Sequence, residues 1–205
     1  GLRIQADTGG EGEDVSRLYS IDGARPVRLP ATNISYTWPG GGLAGTPESV
    51  AMFGARLMAG DIVAPRTWQA MRVPQRLADG SAAGERDFQV GLGWRIGRDA
   101  DGEAIVHHAG IIEGGRSVLV LWPEARHAVA LLSNAIWVSS IERTATVLAA
   151  PFRTPPPGLE AATCPAGALR YEGTMAGESI GGDVSFRIEH GRCVGVLMPE
   201  GELEA

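Results

Sequence analysis

Two runs, Ser117-Val118-Leu119-Val120-Leu121-Trp122 and Ala128-Val129-Ala130-Leu131-Leu132-Ser133, narrow the possible folds more than any other feature of this sequence. Each has the length of a strand and is apolar almost throughout, so neither offers a polar face to water. Strands of this kind need cover on both sides, as in the middle of a sheet. They flank Pro123-Glu124-Ala125-Arg126, a turn. Before them, Val90, Leu92, Trp94 and Ile96 alternate with glycine and arginine, which reads as one strand. Asp99-Ala100-Asp101-Gly102 then reads as a turn, and residues 104–108 as the strand that returns. Residues 140–150 follow the two runs as a helix with Ile141, Ala145 and Leu148 on one face, placed to cover an antiparallel meander.

Helix signals also lie upstream. Thr46-Pro47-Glu48 supplies an N-cap, a first-turn proline and a first-turn acid; Val50, Phe53 and Leu57 recur at helical spacing, and Gly60 closes the pattern. A shorter helix fits residues 65–72, stopped by Pro74. Residues 1–35 carry little pattern, and the acidic, glycine-rich segment 7–14 reads as a surface loop. Residues 151–158, rich in proline, cannot continue a helix and read as a stiff linker. Beyond it Val184, Phe186 and Ile188 alternate, residues 189–192 turn, and Val194, Val196 and Met198 alternate again, a hairpin in a second, all-β module. The expected fold class is therefore α+β: an antiparallel sheet flanked by helices over residues 1–150, a linker at 151–158, and a small all-β module at 159–205.

Hydrophobic residues make up 44% of the chain and charged residues 20%, which supports a packed core rather than disorder. The net charge of −6, with no basic stripe, argues against a nucleic-acid partner. No apolar run is long enough to span a membrane, and the N-terminus lacks the apolar stretch of a signal peptide. All 18 basic residues are arginines. That removes every chemistry that needs a lysine in this chain, including a phosphate-loop lysine, a Schiff base and a Ser-x-x-Lys pair. Cys164 and Cys193 are read either as two unrelated thiols or as one disulfide stapling the C-terminal module.

Three apparent motifs fail on context. Gly40-Gly41-Gly42-Leu43-Ala44-Gly45 fits a dinucleotide fingerprint, but Pro39 abuts it and two helices follow, so it reads as a tight, close-packed turn. Arg116-Ser117 sits in half of a nucleophile elbow, yet the second glycine is missing and a strand follows where a helix should. His107 and His108 are adjacent on a strand and point to opposite faces, so they cannot share a metal ion, and His127 and His190 have no neighbours at ligand spacing. No metal or organic cofactor is expected.

One ordered series remains: Gly91-Leu92-Gly93-Trp94, His108-Ala109-Gly110, Gly114-Gly115-Arg116-Ser117, an apolar strand, Pro123, a second apolar strand and Asn134. With the upstream Trp38-Pro39-Gly40-Gly41-Gly42-Leu43 and the Thr-Pro-Glu-Ser helix start, it resembles the C-terminal half of the penicillin-recognising serine hydrolases: class C β-lactamases, DD-peptidases, D-aminopeptidases and related esterases. The residues from Tyr171-Glu172-Gly173 onward are similar to the lipocalin-like, β-barrel-like module that many members append, here expected to be incomplete. Of the three motifs that carry the family's chemistry, only Lys/His-x-Gly is present, as His108-Ala109-Gly110. Neither Ser-x-x-Lys nor Tyr-x-Asn occurs in the 205 residues. Both precede the resembling region in the family, which together with the absent starting methionine leads to the expectation that this chain is the downstream portion of a longer enzyme and is inactive alone.

The resemblance implies an acyl-enzyme hydrolase acting on an ester, an amide or a D-amino-acid peptide, exported to the periplasm or outside the cell. The backbone N–H of Ile111 would serve as an oxyanion donor. His108 would take part in proton transfer or hold a substrate carboxylate, a task for which imidazole is weaker than lysine. Ala109, Gly110, Gly114, Arg116 and Trp38 would line the substrate site, Gly110 by leaving a strand edge bare. The partners implied are the missing N-terminal segment or chain and a small-molecule or D-peptide substrate. The residues themselves leave alternatives open: His108 as an ordinary strand histidine, Arg116 as a solvated turn residue, and Trp38, Trp94, Trp122 and Trp137 as core aromatics. At the level of function, the alternatives are a non-catalytic penicillin-binding-like protein that binds peptides or cell-wall fragments, and an unrelated β-rich binding module.

Overall fold

In the computed structural model the two apolar runs lie in a six-stranded antiparallel sheet with helices on both faces. The described residues are 1–4, 8, 15–23, 25–38, 40–85, 88–137 and 140–153, together with the backbone of 168–175, 178–189 and 192–199. The chain divides into two units, Gly1–Pro155 and Pro156–Ala205.

The first unit begins with short strands β1 (Arg3–Ile4), β2 (Tyr19–Asp22), β3 (Arg25–Arg28) and β4 (Leu43–Ala44), where β1 pairs with β4 and β2 with β3. Helices α1 (Pro47–Ala59) and α2 (Pro65–Met71) follow. The sheet then runs through β5 (Gly84–Glu85), β6 (Phe88–Val90), β7 (Arg95–Arg98), β8 (Ala104–Ile112), β9 (Gly115–Trp122) and β10 (His127–Ser133), each paired with its neighbour in sequence. Helix α3 (Ile141–Ala149) closes the unit.

Strand β9 lacks alternation because it serves two cores. Val118, Val120 and Trp122 pack with Ile105 against Ile141, Ala145 and Ala149 of α3. Leu119 and Leu121 point the other way and pack with Val106, Trp94, Leu57 of α1 and Trp68 of α2. Helix α1 starts and stops as its sequence signals indicate. The Thr46 hydroxyl accepts from Ser49 N–H at 3.3 Å, and Gly60 takes a left-handed φ of 87°. Gly60 and Asp61 then donate N–H bonds back to Leu57 and Arg56, satisfying carbonyls at the end of the helix.

Three readings are corrected. Val90 to Ile96 is two strands, not one. Gly91 N–H bonds to Trp94 O at 2.7 Å, Gly93 has φ 77°, and the chain reverses between β6 and β7. A Cβ on Gly91 would overlap the Met71 carbonyl oxygen, so the turn is seated against the end of α2. On α3 the buried positions are Ile141, Ala145 and Ala149, whereas Leu148 is exposed. Trp94 and Trp122 are core residues, but Trp38 and Trp137 are each nearly half exposed, at 47% and 44%.

A polar clasp holds the β7–β8 turn to the end of α3. Asp99 Oδ1 accepts from the N–H groups of Asp101 and Glu103, while Oδ2 accepts from Trp122 Nε1 at 2.8 Å and Arg153 Nη1 at 2.6 Å. Arg153 also pairs with Glu103 and lies 4.3 Å over the Trp122 ring.

The second unit contains β11 (Ala168–Met175), β12 (Glu178–Glu189) and β13 (Arg192–Pro199), antiparallel in that order, with Ile188 opposite Cys193. Among the described residues these three strands form an open meander. Cys164, the side chain of Cys193, the segment 7–14 apart from Thr8, and the proline-rich stretch beyond Arg153 lie outside the described residues. No helix among the described residues is long and apolar enough to cross a membrane.

Candidate functional site

The site is built on an inequality of length. Strand β8 has nine residues, β7 has four, and their pairing ends at Arg95 opposite His107. Among the described residues, β8 from His108 to Ile112 is paired with β9 on one side only. Which backbone groups face the open side follows from the register. Asp99 N–H donates to Glu103 O, and bonded rungs alternate in an antiparallel pair, so Gly97–Ile105 and Arg95–His107 are bonded rungs too. Two residues on, Ala109 and Ile111 direct their N–H and C=O toward the unpaired edge, while His108 and Gly110 bond to β9. Ile111 is 62% exposed.

Side chains divide the same residues between two faces. His108 stands opposite Leu119 and Gly110 opposite Ser117, on the face covered by α1 and α2. Ala109 and Ile111 stand opposite Val118 and Arg116, on the α3 face. The structure therefore brings together His108, Gly110 and the outward backbone of Ala109 and Ile111. It does not bring Arg116 to His108: Arg116 faces the other way, and its Nε donates to Ile136 O at 3.0 Å. Gly114 is buried in the two-residue turn between β8 and β9, with φ 78°, and a Cβ there would lie 2.5 Å from Leu29 Cδ1 and 2.7 Å from Leu18 Cβ. Glycine is needed at this position to turn the chain beneath the β2–β3 hairpin. Trp38 lies just before the glycine turn, where Gly41 N–H bonds to Thr37 O at 2.8 Å. The close-packed turn is therefore at Gly40 to Gly42, and the expected turn over Gly40 to Gly45 is cut short by strand β4.

His107 occupies the α3 face and is 6% exposed, its ring edge-on to Phe88 at 6.2 Å. Burial pulls its pKa below the usual imidazole value; nearby Glu142 opposes this, while Arg95 and His108 add to it. The native state resists a proton that the unfolded chain accepts near 6.5. Stability contributed by neutral His107 is thus complete above 6.5 and falls as pH drops toward the depressed native value. Urea midpoints recorded on either side of 6.5 should show this acid loss, and His107→Phe should flatten it.

Two features of the site were not read from the sequence. The first is the length of the open edge, signalled only by the glycine pair, Gly91 and Gly93, whose turn delays β7 until Arg95. The second is the contact of Ser117 with Gly110, where the hydroxyl lies 2.6 Å from the position of a Cβ on residue 110.

This sheet, its helical cover and the His-Ala-Gly strand define the class. The chain belongs to the Beta-lactamase family, whose sequence model matches residues 6–136, and its fold is that of the penicillin-recognising serine hydrolases. No curated protein matches the sequence. Among solved structures, a D-stereospecific amidohydrolase from Streptomyces sp. is similar at TM-score 0.59 and 19% identity, covering 74% of this chain and 43% of that one. An octameric penicillin-binding protein homologue from Pyrococcus abyssi is similar at TM-score 0.56 and 16% identity, covering 94% and 51%. SurE is similar at 0.53 and 17%, covering 96% and 51%. At these identities the likeness is one of fold. The chain spans about half the length of the solved structures it matches.

Proposed function

We propose that this chain supplies the substrate-binding half of a serine hydrolase that cleaves an ester, an amide or a D-amino-acid peptide through an acyl-enzyme. The observation that carries the reading is the unpaired edge of β8 at Ala109 and Ile111. An extended substrate can add to such an edge as a further strand, with backbone bonds for affinity. The Ile111 N–H then donates to the carbonyl oxygen as it becomes an oxyanion. A serine from a segment or chain outside these residues attacks the carbonyl carbon, and the tetrahedral adduct expels the alcohol or amine with a proton. Water then hydrolyses the acyl ester. His108, on the α1–α2 face beside Gly110, belongs to the hydrogen-bonded network that moves those protons. An imidazole in the place of a lysine ammonium favours esters, amides and D-peptides over β-lactams. As with exported members of the family, the setting proposed is the periplasm or the exterior.

A second reading rests on one fact, the absence of any lysine and hence of Ser-x-x-Lys from these residues: a non-catalytic member that uses the same edge to bind peptides or wall fragments. Intact mass spectrometry after a fluorophosphonate or fluorescent penicillin probe separates the two. The hydrolase reading expects label on a serine of a segment or polypeptide bound to this chain, and none on the 205 residues alone. Unlabelled protein in the presence of a Ser-x-x-Lys segment favours the binder, and hydrolysis by the isolated chain overturns the division of labour.

A further inference from the structure

The surroundings of His108 on its face of the sheet are apolar at every position but one. Leu119 lies directly across, Val106 and Gly110 flank it along β8, and Leu121 and Ser117 occupy the two diagonals on β9. Diagonal positions on one face of an antiparallel pair are roughly 7–8 Å apart, within reach of a ring and a hydroxyl turned toward each other. Ser117 leans the right way. Its Oγ lies over Gly110, 2.6 Å from where a Cβ would stand, and so projects toward β8. Among the described residues neither this hydroxyl nor the His108 ring has a hydrogen-bond partner.

An imidazole that moves protons needs one nitrogen fixed by a partner, because that bond selects which nitrogen carries the hydrogen. We propose that Ser117 is the positioning residue for His108: with a turn of the two side chains across the diagonal, its hydroxyl accepts a hydrogen bond from one ring N–H, setting the tautomer and the direction of the free nitrogen. Residue 110 is then glycine for two reasons, to leave the substrate edge bare and to leave room for this hydroxyl. The inference rests on His108 belonging to the site, but its test does not depend on catalysis.

The chain has four histidines, few enough for long-range proton–nitrogen NMR of the full protein, with His108→Gln identifying the signal. Ser117→Ala should change the His108 tautomer ratio about fivefold, the size of one side-chain hydrogen bond. Ser117→Gly should do the same. Gly110→Ala should lower the urea midpoint in the native background and be tolerated when combined with Ser117→Ala. In the complete hydrolase, Ser117→Ala should reduce kcat with KM unchanged and displace one limb of the pH profile. An unaltered tautomer ratio in both Ser117 variants overturns the proposal whatever the kinetics show. A changed ratio in a protein that never hydrolyses anything would sustain it and remove the hydrolase reading instead.

Discussion

Asp99→Ala is expected to lower the unfolding free energy of the first unit by about 3–5 kcal/mol, the usual cost of removing one partner from a buried ion pair. The Asp99 side chain is 2% exposed and that of Arg153 is 7% exposed. Asp99 gathers four donors: two backbone N–H groups of its own turn, the Trp122 indole and the Arg153 guanidinium. Alanine leaves the indole N–H without its acceptor and the guanidinium with only Glu103, which is 30% exposed. It also releases the turn that joins β7 to the strand bearing His108. Urea unfolding followed by tryptophan fluorescence reads the loss directly, since Trp122 is in the clasp. Asp99→Asn retains an acceptor for Trp122 and should lose less. Equal midpoints for the native protein and Asp99→Ala would show that the clasp contributes nothing net.

Ile111→Pro is expected to separate folding from catalysis. Proline removes an N–H, which in mid-sheet would break a ladder bond, but edge strands tolerate it. The Ile111 N–H faces the edge that no strand occupies among the described residues, so the β8–β9 ladder keeps its bonds. The residue before a proline is held to extended backbone, and Gly110 is already in a strand. The urea midpoint should therefore move little. Turnover in the complete hydrolase should fall by about a hundred- to a thousandfold, the effect of deleting one oxyanion donor, while Ile111→Val should retain most of it. Reaction with the fluorophosphonate probe should slow in parallel. Unchanged acylation in Ile111→Pro would remove that N–H from the mechanism.

Local signals carried much of the architecture. Thr46, Pro47 and Gly60 bound α1 because caps act within a turn of the helix, and β9 and β10 were visible as strands because cover on both faces leaves a continuous apolar run; β10, expected like β9 in the middle of the sheet, stands at its edge. Reading failed where the deciding contact is distant. Alternation of apolar residues from Val90 to Ile96 imitates a strand, and nothing nearby reveals that Gly91 must clear the Met71 carbonyl. Leu148 outranks Ala149 in hydropathy, yet the small residue packs closely against the sheet while the larger one stays outside. The His108-Ala109-Gly110 strand was legible as a motif. That Arg116 turns away from it depends on cross-strand register, which no local pattern encodes. Asp99 and Arg153 lie 54 positions apart, and their pairing exists only once α3 has docked.

Strand β9 contributes consecutive residues to two different cores, Val120 to one and Leu121 to the other. Neither helical layer can peel from the sheet without uncovering the strand on which the other rests, so the two layers are bound into one cooperative unit. Among the described residues the half of β8 from His108 to Ile112 has β9 as its only paired neighbour, and it borrows rigidity from that shared strand. An edge open to a ligand is ordinarily the softest margin of a sheet; here it is backed by a strand buried on both faces, so a ligand that adds to it meets a strand already held in place.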